Sequence, residues 1–319
     1  MSKTATSALA VAAAGFFLIV PHASAQTDAV RDSEIVVRHD RPVTEREIRQ
    51  GVHKLIDRIT VIDAMPRFIG SVCLKVMGLE ANMARKVEDR IRKHILDLEL
   101  ELADGKCRPN AMVIVAGDPE LMLSSLRRSR PWIFGQLQPA AVGNGVSVPG
   151  RNFSFSTLRS EVERGKPAVA WSVNVPPNAP QGAIFVSGAG AGGPQLAARW
   201  EAFRSQTVPR PKSHAVVMFD WRQLNGVHLD QLADYATLQL LGSPRRNVDS
   251  SYAAVPTILT LFAEGPERAP QRLTRFDRAY LCGLHRMPPS FFAFRLTGYA
   301  IDADANNCLS EGERGAKAG

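Results

Sequence analysis

Residues 215–242 read AVVMFDWRQLNGVHLDQLADYATLQLLG, and this run decides how the rest of the chain is read. Its opening, AVVMFDW, is a short apolar run with β-branched and aromatic side chains, the pattern of a buried strand. After a polar turn the period changes. Leu229, Leu232, Ala233, Ala236 and Leu240 recur at helical spacing and predict an amphipathic helix over residues 229–241, with Gly242 as its C-cap. Asp230 falls in the first turn, where a carboxylate suits the helix dipole, and His228 sits just before it.

Upstream, Thr44 followed by Glu47 makes a capping-box pattern, and Ile48, Val52, Leu55, Ile56 and Ile59 continue it as a short helix. Met83, Val87, Ile91, Ile95, Leu98 and Leu102 form the apolar stripe of a longer helix, which Asp104-Gly105 is expected to end. Its basic residues crowd the first half and its acids the second, against the helix dipole, so packing must hold it. The strand AMVIVAG follows, and Pro119 opens a further helix. Between Arg130 and Pro180 the periodicity fades, and the runs FSFSTL and AVAWSVNV suggest hairpins or surface loops rather than a second core. The fold class expected is α+β, a mixed sheet flanked by helices, with the 229–241 helix beneath a shallow cleft. Residues 1–25 read as a signal peptide, with Lys3, the apolar run from Ala8 to Val20 and the small-residue site Ala23-Ser24-Ala25. Residues 26–42 read as a polar arm, 43–305 as a single domain of two lobes, and 306–319 as a polar tail.

The chain has 45% hydrophobic and 22% charged residues, which excludes wholesale disorder. Its formal charge of +8 is interspersed with acids and lacks interleaved aromatics, so nucleic acid is not expected as a partner. An anionic envelope polymer or an envelope protein suits that balance better. No segment after the signal is apolar enough for a transmembrane span. The expected location is periplasmic or secreted. In that oxidising compartment Cys73, Cys107, Cys282 and Cys308 are expected to form disulfides, and sequence proximity favours Cys73 with Cys107 and Cys282 with Cys308.

The chemistry-bearing motifs are incomplete. Gly188-x-Gly190-x-x-Gly193 lies late in the chain, without the acid that a dinucleotide fingerprint places about 20 residues on, so no cofactor is expected. A zinc peptidase helix carries HExxHxxG, in which two imidazoles one turn apart bind the metal and the glutamate activates water. With Gly242 set on the glycine of that pattern, the histidine, glutamate and histidine positions hold Tyr235, Ala236 and Gln239. No metal site is expected there. A zinc site would have to draw together distant groups such as His214, His228, Asp230 and Asp234. Asp302-x-Asp304-x-Asn306, with Leu309 and Glu313, partly matches a calcium loop, although Asn307 stands in place of its glycine. Neither GxSxG nor SxxK occurs. Asp230 and Asp234 lie one turn apart on what reads as a solvated helix face, and with His228 and Tyr235 they are the only candidates for a different catalytic site.

The order helix, strand, helix, loops, strand, QLADYATLQLLG, VPTILTLF and LTRFDRAYLCGLH resembles secreted Gram-negative bacterial domains of unknown function related to zincin-like metalloproteases. Gly242, Asp249-Ser250-Ser251, Ile258-Leu259 and Leu273-Thr274-x-x-Asp277 carry the resemblance. It implies a zincin-like architecture, while the missing ligands imply a noncatalytic scaffold used for binding or structure. The alternative is a divergent metallohydrolase acting on envelope peptide or polymer.

Overall fold

The computed structural model describes residues 42–56, 63–134, 155–174, 209–246, 255–306 and 308. Four strands form one mixed sheet in the order β1-β2-β4-β3. Strands β1 (Leu74–Met77), β2 (Ala111–Ala116) and β4 (Lys212–Asp220) run parallel, and β3 (Ala168–Asn174) returns antiparallel along β4, outermost among the described strands. Strand β2 is buried at every position because helices cover both of its faces.

Side-chain alternation sorts the strands into two cores. Leu74, Val76, Ala111, Val113, Val115, Ala215, Val217 and Phe219 face the larger one, which also takes α1 (Glu45–Leu55), α2 (Ala81–Asp97), α5 (Leu229–Gly242), α7 (Arg275–Arg286) and α8 (Leu296–Ala305). Met112, Ile114, Ala116, Val169, Trp171, Val216 and Met218 face the smaller one, closed by α3 (Pro119–Ser129), the 3-10 turn Pro131–Phe134 and α4 (Phe155–Glu163). The expected α+β class with a mixed sheet flanked by helices is present. A short helix, α6 (Leu261–Glu264), follows a 3-10 turn at Ile258–Thr260.

Local chemistry sets the boundaries. The capping box of α1 is formed: Glu47 N–H donates to the Thr44 hydroxyl at 3.3 Å, and the Glu47 carboxylate accepts from Thr44 N–H at 2.9 Å. Helix α7 opens on a second such box, in which Asp277 N–H donates to the Thr274 hydroxyl at 3.1 Å. Both disulfides join the pairs that proximity favoured, Cys73 with Cys107 and Cys282 with Cys308. Among the described residues no helix is long and apolar enough to cross a membrane.

Several expectations are corrected. Helix α2 stops at Asp97, short of Leu102 and Asp104-Gly105, because Glu99 turns to a positive φ of 60° and the chain leaves to pair Val72 with Leu102. Where hairpins or surface loops were expected rather than a second core, Phe155–Glu163 is a helix and AVAWSVN, a strand as a hairpin would need, lies in the main sheet; both belong to the second core. The left-handed cap of α5 is Ser243, with φ 48°, not Gly242. Gly242 is needed for space instead. A Cβ there would sit 3.1 Å from the Tyr280 ring, whose hydroxyl donates to the Gly242 carbonyl at 2.8 Å. Finally, Asp302 and Asp304 lie within α8 and Asn306 caps it, so the partial calcium match is helical there; Arg275 takes the Asp304 carboxylate at 2.5 Å. Leu309 and Glu313 lie outside the described residues, as do residues 1–41, Ile59, the Gly188–Gly193 motif and Asp249-Ser250-Ser251.

Candidate functional site

Strand β4 passes into α5 through a 3-10 turn at Trp221–Gln223, tied by the Asp220 carboxylate, which accepts from Arg222 N–H at 3.0 Å and from its guanidinium at 2.8 Å. That turn lays α5 between the sheet on one side and α2 and α7 on the others. The expected solvated face is therefore confined to the start of α5, where His228 and Asp230 are exposed. Gln231, Asp234 and Thr237 are as buried as Leu232, Leu238 and Leu240, and each polar group is bonded inside the protein. Gln231 Nε2 donates to the Pro266 carbonyl at 2.8 Å, and the Thr237 hydroxyl donates to the Ala233 carbonyl at 2.8 Å.

Asp234 is the centre of this arrangement. Its side chain is 0% exposed. It accepts from Arg90 Nε at 2.6 Å and Nη2 at 2.7 Å, from Leu273 N–H at 2.7 Å, and it pairs with His94 Nε2 at 2.8 Å. Burial by itself raises this carboxyl, but the His94 and Arg90 bonds outweigh it and hold Asp234 below the usual carboxylate range. Four donors fill its acceptor capacity, so no oxygen remains to move a substrate proton. Asp230, one turn earlier, is 66% exposed and meets only Arg90 Nη1, at 3.3 Å. His228 is the N-cap residue of α5, and its N–H donates to Gln231 Oε1 at 3.1 Å.

His214 is carried elsewhere. It packs on Trp132 at 4.7 Å between ring centroids, within the layer that covers the second core, whereas Asp234 binds α2 on the other face. Burial, with Arg108 adding to it, pushes the His214 imidazole down to about 4. The distant set His214, His228, Asp230 and Asp234 is thus not brought together. Among the described residues no group of three His, Cys, Asp or Glu side chains is placed to hold a metal ion.

Two of the residues at 235, 236 and 239 reach a concavity. Tyr235 and Gln239 line a groove with β3 residues 168–172, with Glu161 of α4, and with Arg246 beyond the end of α5. Ala236, between them, is fully buried. Gln239 Nε2 donates to the Tyr235 hydroxyl at 3.3 Å, and the Tyr235 ring stands edge-on to Phe262 at 5.1 Å. Burial pushes the Tyr235 phenol up to about 12, so it stays protonated at neutral pH. Arg246 bonds the Ala170 carbonyl at 2.7 Å and the Glu161 carboxylate, which also accepts from Lys166 at 2.9 Å. The enclosed space is about 30 Å³. Sites for small molecules run about 300–1,000 Å³, so this space, about that of one water, is too small to enclose a ligand.

At the far end of α5 a second polar group was not foreseen from the sequence. Lys212 Nζ donates to the Leu240 carbonyl and Arg67 Nη1 to the Leu284 carbonyl, so two buried cations cap the last turns of α5 and α7. Helix C-termini carry partial negative charge, which accounts for cations buried here without a described carboxylate. Burial still lowers Lys212 to about 7. Arg90, His94, Glu161 and Arg246 were missed as well. The available signal was the i,i+4 pair Arg90 and His94 on α2, which matches the i,i+4 pair Asp230 and Asp234 on α5. Comparison of the chain with protein-family models, with curated proteins and with solved structures gives no match.

Proposed function

We propose that this is a periplasmic or secreted binding protein which uses a zincin-like scaffold without peptidase chemistry and contacts an envelope peptide or polymer at the groove beside Tyr235, Gln239 and Arg246. The observation that carries the proposal is the groove itself: β3 on one wall, the flank of α5 with Tyr235 and Gln239 on the other. Arg246 bonds the Ala170 carbonyl at 2.7 Å, which fixes a guanidinium in the wall of the groove. Lys166 and Arg246 flank a single described acid, Glu161, which favours anionic segments of an envelope protein or polymer. Two disulfides suit an oxidising compartment. The zincin-like reading is supported by α5 following β4 directly and packing under the sheet. The noncatalytic reading is supported by the full commitment of Asp234 to Arg90, His94 and Leu273.

Amide hydrogen exchange with an acidic peptide library tests the groove. Binders should protect amides in residues 168–172, and Arg246→Ala should weaken them about tenfold, in keeping with one charge-assisted bond. Protection confined to other strands would reject the assignment. Stoichiometric zinc in the purified protein, lost on changing His228, would reject the noncatalytic reading.

A further inference from the structure

A second concavity lies on the other face of the sheet, at the opposite edge. The register pairs Lys75 with Met112 and Met77 with Ile114, which puts both β1 side chains on the face of the second core. The helical layer there packs on β4 and β3, and beside β1 it leaves a cavity of about 270 Å³. Met77, Met112, Pro109 and Trp132 line it, with Lys75 and Arg130 among its walls.

Charge and shape agree on the occupant. Trp132 is braced from outside the cavity lining, with the Arg108 guanidinium 4.2 Å from its ring centroid and His214 on it at 4.7 Å. Lys75, Arg108 and Arg130 are exposed, and none forms an ion pair with a described carboxylate. Among the described residues no acid lines the cavity. An apolar cavity just below the small-molecule size range, with cations and no described anion around it, fits a ligand with one short apolar group and one negative head. The geometry points to a binding site for a small monomeric amphiphilic carboxylate, its apolar part against Trp132 and Met112 and its head between Lys75 and Arg130. This site is separate from the β3 groove and does not depend on it.

Octanoate below its micellar concentration is the probe, titrated by calorimetry and by the Trp132 indole NMR signal. Saturable binding is expected, at least tenfold tighter than that of 1-octanol. Trp132→Ala and the double change Lys75→Ala with Arg130→Ala should each weaken octanoate at least tenfold. The two cations are exposed, so the double variant keeps its fold, verified by circular dichroism. Equal binding of octanol and octanoate, or an unchanged affinity in the double variant, overturns the assignment. Binding to anionic phospholipid vesicles without binding to monomeric octanoate overturns it too, in favour of a membrane surface.

Discussion

Asp234→Ala should be the most damaging single change near α5, although it touches no groove residue. The substitution leaves the Arg90 guanidinium, 19% exposed, without its bidentate partner, and leaves Leu273 N–H buried without an acceptor. Removing one member of a buried ion pair costs about 3–5 kcal/mol, and an orphaned buried donor about 1–3 kcal/mol. These terms share one site and do not add fully, so a loss of about 4 kcal/mol is expected. At about 2–4 °C per kcal/mol for a domain of this size, Tm should fall by roughly 8–16 °C. Urea denaturation of the disulfide-intact protein, followed by circular dichroism, measures it. Asp230→Ala is the control: its carboxylate is 66% exposed, and its removal should cost less than about 0.5 kcal/mol. If Asp234→Ala loses under 1 kcal/mol, or no more than Asp230→Ala, Asp234 is not a structural carboxylate and the catalytic reading reopens. Acid adds a second check. A carboxyl held below its unfolded value near 3.9 stabilises the protein at higher pH, and that stability disappears as pH falls through the lowered folded value.

Asp277 should act in the opposite sense. Burial pushes it up to about 6 despite bonds from the Thr257 hydroxyl and Ile258 N–H, so its contribution is complete below about pH 4 and is lost as pH rises through 6. Unfolding free energies from urea at pH 4.5 and 7.5 should differ by about 2 kcal/mol from this group, and Asp277→Asn should shrink the difference. Lys212, lowered to about 7, gives stability that is present at high pH and lost as pH falls through 7; Lys212→Met should flatten that slope and be neutral or stabilising at pH 6. Gly283→Ala would place a Cβ 2.6 Å from the Ala300 backbone nitrogen, separating α7 from α8, with a loss of at least about 2 kcal/mol by thermal denaturation. Replacing both Cys282 and Cys308 by serine opens a loop with a sequence separation of 26 and should cost about 3.5 kcal/mol on the chain-entropy relation, read from the urea midpoint.

Much of the layer plan was written in local pattern. The shift from strand period to helical period across residues 215–242 located β4 and α5, Thr44 with Glu47 marked the start of α1, and the cysteine spacing matched the disulfide pairs found. These features depend on contacts near in sequence or on chain entropy, so residue order carries them. The second core was not legible, because Phe155–Glu163 has a weak apolar stripe and AVAWSVN gains its meaning only when it pairs with β4. The end of α2 depended on a partner strand segment at Val72, which no local signal announces.

The candidate site divides the same way. The sequence by itself determined that no pair of imidazoles one turn apart stands on this helix, where Tyr235, Ala236 and Gln239 occupy the positions compared with a zinc motif, since side-chain identity at fixed spacing settles the available chemistry. Only the tertiary structure decided that Asp234 is a buried cross-link rather than a solvated acid, and that Tyr235 and Gln239 face a groove while Ala236 faces the core. The physical reason is burial. A carboxylate's role follows from which donors surround it and how much water reaches it, and for Asp234 those donors stand on α2, 140 and 144 positions away, and on the Leu273 backbone.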